Sequence, residues 1–312
     1  MPNNITQFLL LGFPDFQFWH YGLFGIFLTM YLLTIAGNIT IVSIVRHDDS
    51  LHTPMYFFIS NLSFIEIMFT TVTVPKILAL VIGYSKSISF HSCLIQFYFF
   101  FSLGSTECCL LAAMSYDRYI AVCNPLHYSS IMNRSVCLYI VLACWVEGIF
   151  ITSIHTFCIA NLKFCGKNTI HHFFCDLSPL LKLSCENTSV IEFLNFLTAC
   201  VIVLCSFSLT LFSYIRIIMT VLAIPSSTGK RKTFSTCASH LIVVLMFFGT
   251  VAFVYVRPRV STDFEANMFI SMLFIVVTPA LNPFIYSLRN KEVKYAIKKL
   301  IRNSRLLYRQ MS

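Results

Sequence analysis

Glu66 and Glu107 stand inside long apolar stretches of the sequence, and Asn38 and Asn282 stand inside two others. Ionisable side chains are costly in hydrocarbon, so such positions are candidates for function. A sodium ion shared by the carboxylates and amide oxygens would satisfy the group, and movement of that ion or of a proton would couple to rearrangement. A static network with one or both carboxyls protonated satisfies it as well, and both readings stand open. Asp117-Arg118-Tyr119 ends a third apolar stretch. There Arg118 can snorkel, pair with Asp117, or reach into a cytoplasmic cavity if helices part. Pro279 and Pro283 in the last stretch remove backbone hydrogen bonds and make it a plausible hinge.

These residues need a scaffold, and the composition says which kind. The chain has 312 residues, 57% hydrophobic and 11% charged, with a mean hydropathy of +0.77; a soluble domain carries roughly a quarter charged residues. Apolar runs near 22-45, 55-81, 94-122, 137-159, 192-222, 236-256 and 266-288 are each about long enough to cross a bilayer as a helix. They are too long and too continuously apolar for barrel strands. The expected fold is an all-α membrane protein, a bundle of seven transmembrane helices over 22-288 with an extracellular tail at 1-21 and a cytoplasmic segment at 289-312.

Lys and Arg are concentrated on the side holding Arg118, Arg134, Lys230, Arg231, Lys232 and the C-terminal segment, which places the C-terminus in the cytoplasm. The formal charge of +9 is spread between apolar segments and forms no single basic face, so no nucleic-acid partner is expected. Val293, Ala296, Ile297, Leu300 and Ile301 recur at helical spacing, with Lys291, Lys294, Lys298 and Arg302 opposite. That pattern predicts a short amphipathic helix along the anionic inner leaflet. Sequons at Asn4 and Asn187 fall outside, where glycosylation is expected; those at Asn38, Asn61 and Asn133 fall in spans or on the inner side.

Of thirteen cysteines, Cys93, Cys165, Cys175 and Cys185 belong to the outer, oxidising side. Four cysteines allow three pairings. The three later ones lie in a long segment between spans four and five that bridges would hold over the bundle as a lid. The same segment carries His171, His172 and Asp176, whose chemistry with Cys175 would suit a soft metal. A disulfide at Cys175 would remove the thiolate and disfavour that reading.

Several fragments arrive in a recognisable order: Pro54-Met55-Tyr56-Phe57-Phe58 entering span two, MSYDRYIAVCNPLHY after span three, SYIRI in span five, KTFSTCASHL entering span six, and PALNPFIYSLRN in span seven. Together they resemble the vertebrate odorant receptors, within the rhodopsin-like G-protein-coupled receptors. The resemblance implies that Asp117, Arg118 and Tyr119 form a G-protein-facing switch, around which Tyr214, Asn282, Pro283 and Tyr286 rearrange. It implies the pairs Cys93-Cys175 and Cys165-Cys185. It matches Glu66 and Glu107 to the family's intramembrane acidic positions, although span two usually carries Asp where Glu66 stands. It implies a ligand wall of Phe100, Phe101, Gly104 and Ser105; Thr198, Ala199 and Ile202; Phe248, Val251, Ala252 and Tyr255; and Met272 and Ile275. Span six typically has Tyr where Phe248 stands.

The function so implied is an odorant receptor that binds a small volatile, mostly hydrophobic molecule and activates the olfactory stimulatory G protein, raising cyclic AMP. An accessory protein for surface delivery belongs to the same expectation, and no cofactor is expected beyond a bound sodium ion. The rival of a different class is a secondary transporter using Glu66 and Glu107, but no internal repeat is present and seven spans do not divide. A channel would want rings of charge or a filter loop. An enzyme is disfavoured, because the sequence has no His-Glu-x-x-His pair, Gly-x-Ser-x-Gly elbow or nucleotide loop.

Overall fold

The computed structural model describes residues 6–12, 20–165, 168–251, 271–289 and 292–300. Among these, five helices are long and apolar enough to cross a membrane: α1 (His20–His47), α2 (Pro54–Val81), α3 (Phe90–Cys123), α4 (Arg134–Ala160) and α5 (Ser189–Ala223). Two shorter apolar helical stretches, Cys237–Val251 and Leu273–Tyr286, accompany them. The first belongs to α6 (Ser227–Val251), which starts earlier than its apolar run. Lys230, Arg231 and Lys232 therefore lie within the first turns of this helix, not in a connecting loop as the sequence suggests. The second stretch is a wide turn, Leu273–Val277, leading into α7 (Thr278–Arg289).

Local chemistry sets several helix ends. Pro54 opens α2 at a position where a missing N–H costs nothing. Ser89 accepts from the Ser92 amide at 3.1 Å to cap α3, and Asn133 accepts from the Val136 amide at 3.0 Å to cap α4. The wide turn before α7 ends at Val277, two residues before Pro279, which cannot donate to an upstream carbonyl; the Thr278 amide and hydroxyl both turn back to the Leu273 carbonyl.

α3 is the axis of the bundle, packing against α2, α4, α5 and α6, and its apolar stretch is the most buried of the five. α5 is the least buried. Phe193, Phe196 and Phe212 on α5, with Phe150 and Phe157 on α4, stand exposed, an apolar belt that suits hydrocarbon and not water.

At the end of the bundle that holds the start of α3, a three-stranded sheet ties distant segments together. β1 (Gln7–Leu10) runs antiparallel to β2 (Ser87–Ser89) and parallel to β3 (Thr169–Ile170). The segment read from the sequence as a plain tail thus contributes a central strand, because Phe8 and Leu10 alternate inward and are fully buried. Phe8 packs on Phe90 and Phe164.

On the opposite side residues 292–300 are helical. Val293 and Ala296 are buried, and Ile297 and Leu300 pack on the core, so this apolar face meets the bundle itself. Polar ties fix it: the Tyr56 hydroxyl donates to Glu292 at 2.6 Å, and the Lys299 ammonium reaches Asp48 at 3.1 Å. The Ser50 hydroxyl and then Lys299 hold the Asp48 carboxyl below the usual range. Ile301 and Arg302 lie outside the described residues.

Among the described glycines the closest approach is at Gly148, where a Cβ would collide with Thr106 and the Ser102 carbonyl of α3. Gly148→Val should overpack this seam, costing about 1–3 kcal/mol and lowering both the thermal midpoint and the surface level of the protein. Gly25→Val, at a position facing open space, should change neither.

Candidate functional site

The loop between α4 and α5 is drawn onto α3 by a disulfide between Cys93 and Cys175 (Cα–Cα 5.5 Å) and is closed on itself by one between Cys165 and Cys185 (5.6 Å). Gln96, one turn inside Cys93, accepts from the Cys175 amide at 3.1 Å and donates to the Val72 carbonyl. Cys175 is thus fixed by a covalent bond and a hydrogen bond to one helix. The segment before it, Phe173 and Phe174, is buried, with the Phe174 ring 4.7 Å from Phe100. Phe100 also meets Phe69 and Phe274, an aromatic cluster that seats the loop.

His172 belongs to this seat. It is buried and accepts from the Phe174 amide through Nδ1 at 3.4 Å. Burial pushes its pKa down to about 3. Among the described residues no group of three or more His, Cys, Asp or Glu side chains could hold a metal ion.

Beneath the loop lies a cavity of about 130 Å³, bounded by α3, α4, α5, α6 and the turn before α7. Its size is close to the roughly 150 Å³ apolar cavity that accommodates benzene. Of the residues singled out from the sequence, Phe100, Phe101, Gly104, Ser105, Thr198, Ala199, Ile202 and Val251 line it. Phe248 does not: it packs against Phe207 and Phe247, and Phe247 faces the space in its place. One residue along a helix turns the side chain by about 100°, enough to change its face. Likewise Phe274 lines the cavity, while Ile275 is fully buried elsewhere and Met272 packs on the core. Ala252 and Tyr255 lie outside the described residues, as does Asn4.

Sequence reasoning missed the α4 wall. Ile151, Thr152 and His155 line the cavity, and Glu147, below them, receives the Ser105 hydroxyl at 2.8 Å and the Cys109 thiol at 3.6 Å. Asn195 on α5 is a further polar member. The signal was present: Glu147, Ile151 and His155 recur every four residues, one face of one helix, and two of them are polar residues within an apolar run.

Deeper in the bundle, Asn282 donates to Glu66, and Asn38 donates to the Thr34 carbonyl at 3.1 Å. Glu107 is buried close enough to Glu66 for the two carboxyls to interact. Three buried oxygens, Asn38 Oδ1, Glu66 Oε2 and Asn282 Oδ1, lack a hydrogen-bond partner among the described residues, as does the Tyr286 hydroxyl. Such an oxygen-only donor set is what a hard cation or a water takes.

At the C-terminal end of α3, Asp117 is wholly buried and lies 4.0 Å from Arg118, while Tyr128 donates to its other oxygen at 2.9 Å. Tyr119 packs edge-on against Phe212 of α5. The Tyr214 hydroxyl lies 2.8 Å from His240 Nδ1, joining α5 to α6 beside the Arg118 region. Pro283 of α7 fits against Gly37 of α1, where any Cβ would intrude on the proline ring. The Asn187 side chain is exposed and accepts from the Ser189 amide.

Comparison with known proteins adds a second line. A family profile described as olfactory receptor matches residues 27–304. The chain is 50% identical to human olfactory receptor 6B1 over 297 residues, 95% of each chain. It is 50% identical to human olfactory receptor 6F1 over 293 residues, covering 94% of this chain and 95% of that one. It is 48% identical to mouse olfactory receptor 6B9 over 302 residues, covering 97% and 96% respectively.

The buried His172 yields a pH test of the loop. Its folded pKa, about 3, is below the ordinary 6.5, so its contribution to loop closure is complete above pH 6.5 and is lost progressively as pH falls toward 3. Hydrogen exchange across 168–176 should show the open population rising about tenfold between pH 7.5 and 5.5. His172→Phe should flatten that dependence.

Proposed function

The chain belongs to the olfactory receptor family, and from that premise we propose that the cavity beneath the outer loop is the odorant site of a G-protein-coupled receptor. It is a multi-pass membrane protein and not an enzyme. The transporter reading of Glu66 and Glu107 finds no support in relatives that match along the whole chain. The observation that carries the proposal is the course of α3: one helix contributes Phe100, Phe101, Gly104 and Ser105 to the cavity and Asp117 and Arg118 to the inner end.

In this reading the five long helices, α6 and α7 form seven spans over 22-288, with the N-terminus outside and the basic C-terminal segment inside. Lys294 and Lys298 are exposed and would face anionic headgroups, while Lys299 is engaged by Asp48. Asn4 and Asn187 are the proposed glycosylation sites. An accessory protein for surface delivery is part of the same proposal.

A small, mostly apolar odorant that fits the active arrangement better than the resting one shifts the population toward it. The cavity and the inner surface are then linked sites, each favouring occupancy of the other by the same factor. α5 and α6 would part at their inner ends, separating Tyr214 and His240 from their resting contacts and freeing Arg118 to meet the olfactory stimulatory G protein. Cyclic AMP is the proposed output. The unpartnered oxygens of Asn38, Glu66 and Asn282 support a bound sodium ion or a mobile proton near Glu66 and Glu107 as part of this resting state.

Cells displaying the protein should raise cyclic AMP when given members of a panel of small volatile molecules. Arg118→Ala, matched for surface level, should bring that response to baseline. A ligand-driven current or uptake without a G protein would overturn the assignment.

A further inference from the structure

Glu147 stands at the midpoint of α4 without a countercharge. Its oxygens receive the Ser105 hydroxyl at 3.0 and 2.8 Å and the Cys109 thiol at 3.6 Å, both from α3. Two neutral donors supply hydrogen bonds and leave a negative charge unbalanced. Among the described residues no Lys, Arg or His forms an ion pair with it. The cationic candidates on the surrounding helices are distant or engaged. His155 is eight residues along α4, about 12 Å at the helical rise. Arg118 is nine residues along α3 from Cys109, about 13.5 Å, and lies beside Asp117. Lys76 of α2 is bonded to the Ser85 and Ser87 carbonyls, and Arg216 of α5 is fourteen residues past Ile202. Glu107, two residues past Ser105, is another acid and adjoins Glu66. A carboxylate within hydrocarbon is costly unless a charge is brought to it.

We infer that this cavity selects small amines, which bind as ammonium ions and balance the charge of Glu147. The inference rests on the odorant-site reading and adds a chemical class to it. The wall between the carboxylate and the cavity is one side chain thick, because Ser105 both lines the cavity and touches Glu147. A charge acts across that thickness without contact, and apolar surroundings screen it far less than water does. Lys and Arg are absent from the described lining, while Phe97, Phe100, Phe101, Phe247 and Phe274 are part of it. Phenyl faces attract cations, so such a lining does not repel an ammonium. Aliphatic amines are protonated at neutral pH, as the lysine side chain is. Alcohols of the same shape bring no charge and gain nothing from the field. A cavity of about 130 Å³ limits the hydrocarbon body to something near a single ring or a short chain.

The test uses matched pairs on cells displaying the full chain, with cyclic AMP as readout: benzylamine and benzyl alcohol, cyclohexylamine and cyclohexanol, 3-methylbutylamine and 3-methyl-1-butanol. Active compounds should be the amines, with their neutral partners about ten- to a hundredfold weaker. Glu147→Gln, which keeps the shape and removes the charge, should shrink the gap to below about threefold at equal surface level, and Glu147→Asp should keep part of it. Ser105→Ala, which removes the hydroxyl and leaves the charge, should keep the gap at about tenfold or more. Amines that are silent or no stronger than their partners show that Glu147 carries its own proton, and overturn the inference. A gap that survives Glu147→Gln, or one that closes in Ser105→Ala, overturns it as well. Ala199→Trp, which fills the cavity, separates the two layers. If it abolishes the response while the gap ignores Glu147, only the amine selection falls. If responses persist in Ala199→Trp, the odorant site lies elsewhere and both fall.

Discussion

In hydrocarbon a polar group has no solvent to turn to, so every donor and acceptor must be met from within the protein. That constraint shapes each part of this molecule. The hydroxyls of Thr34, Thr70, Thr73, Thr106 and Ser115 fold back onto carbonyls of their own helices. Groups too long or too charged for that solution find partners across helices: Asn282 with Glu66, Ser105 with Glu147, Tyr128 with Asp117, Tyr214 with His240. The cross-helix pairs are the points at which one helix senses the position of another. Because each unmet group is costly, such contacts switch between discrete arrangements more readily than they stretch.

α3 collects most of these points on one rod. At its N-terminal end Cys93 and Gln96 grip the loop; at mid-depth its aromatic and small residues shape the cavity; farther along, Glu107 adjoins Glu66; at the C-terminal end Asp117 and Arg118 sit against Tyr128. Gly104 opens room for the cavity, and Gly148 of α4 lets that helix approach α3 closely enough for Glu147 to reach Ser105. A displacement of α3 is therefore felt at all four levels together.

The loop between α4 and α5 shows the same economy of anchoring. A disulfide and the Gln96 hydrogen bond hold Cys175, while Phe174 and His172 fill the space beneath. The N-terminal strand then lies between β2 and β3, so that the α2–α3 turn, the first described residues and the outer loop share one small sheet. Its pairings join residues far apart in the chain, and nothing local in Gln7–Leu10 announces its neighbours.

What the sequence determined by itself was the membrane, the approximate limits of its long helices, and the polar residues at the inner end, because apolar run length and intramembrane charge are local properties. The family resemblance rested on motifs that are equally local. Which residues face one another was decided by the tertiary structure. Helices that are apolar on every side carry almost no signal of rotational phase that could correct positions carried over from the family resemblance, and Phe247 and Phe274 line the cavity where the resemblance implied Phe248 and Ile275. Crossing angles and close approaches, as at Gly148, set that phase. His155 and Glu147 were legible as an i, i+8 polar pair, but only the fold shows that Ile151 and His155 border a cavity and that Glu147 reaches across to Ser105.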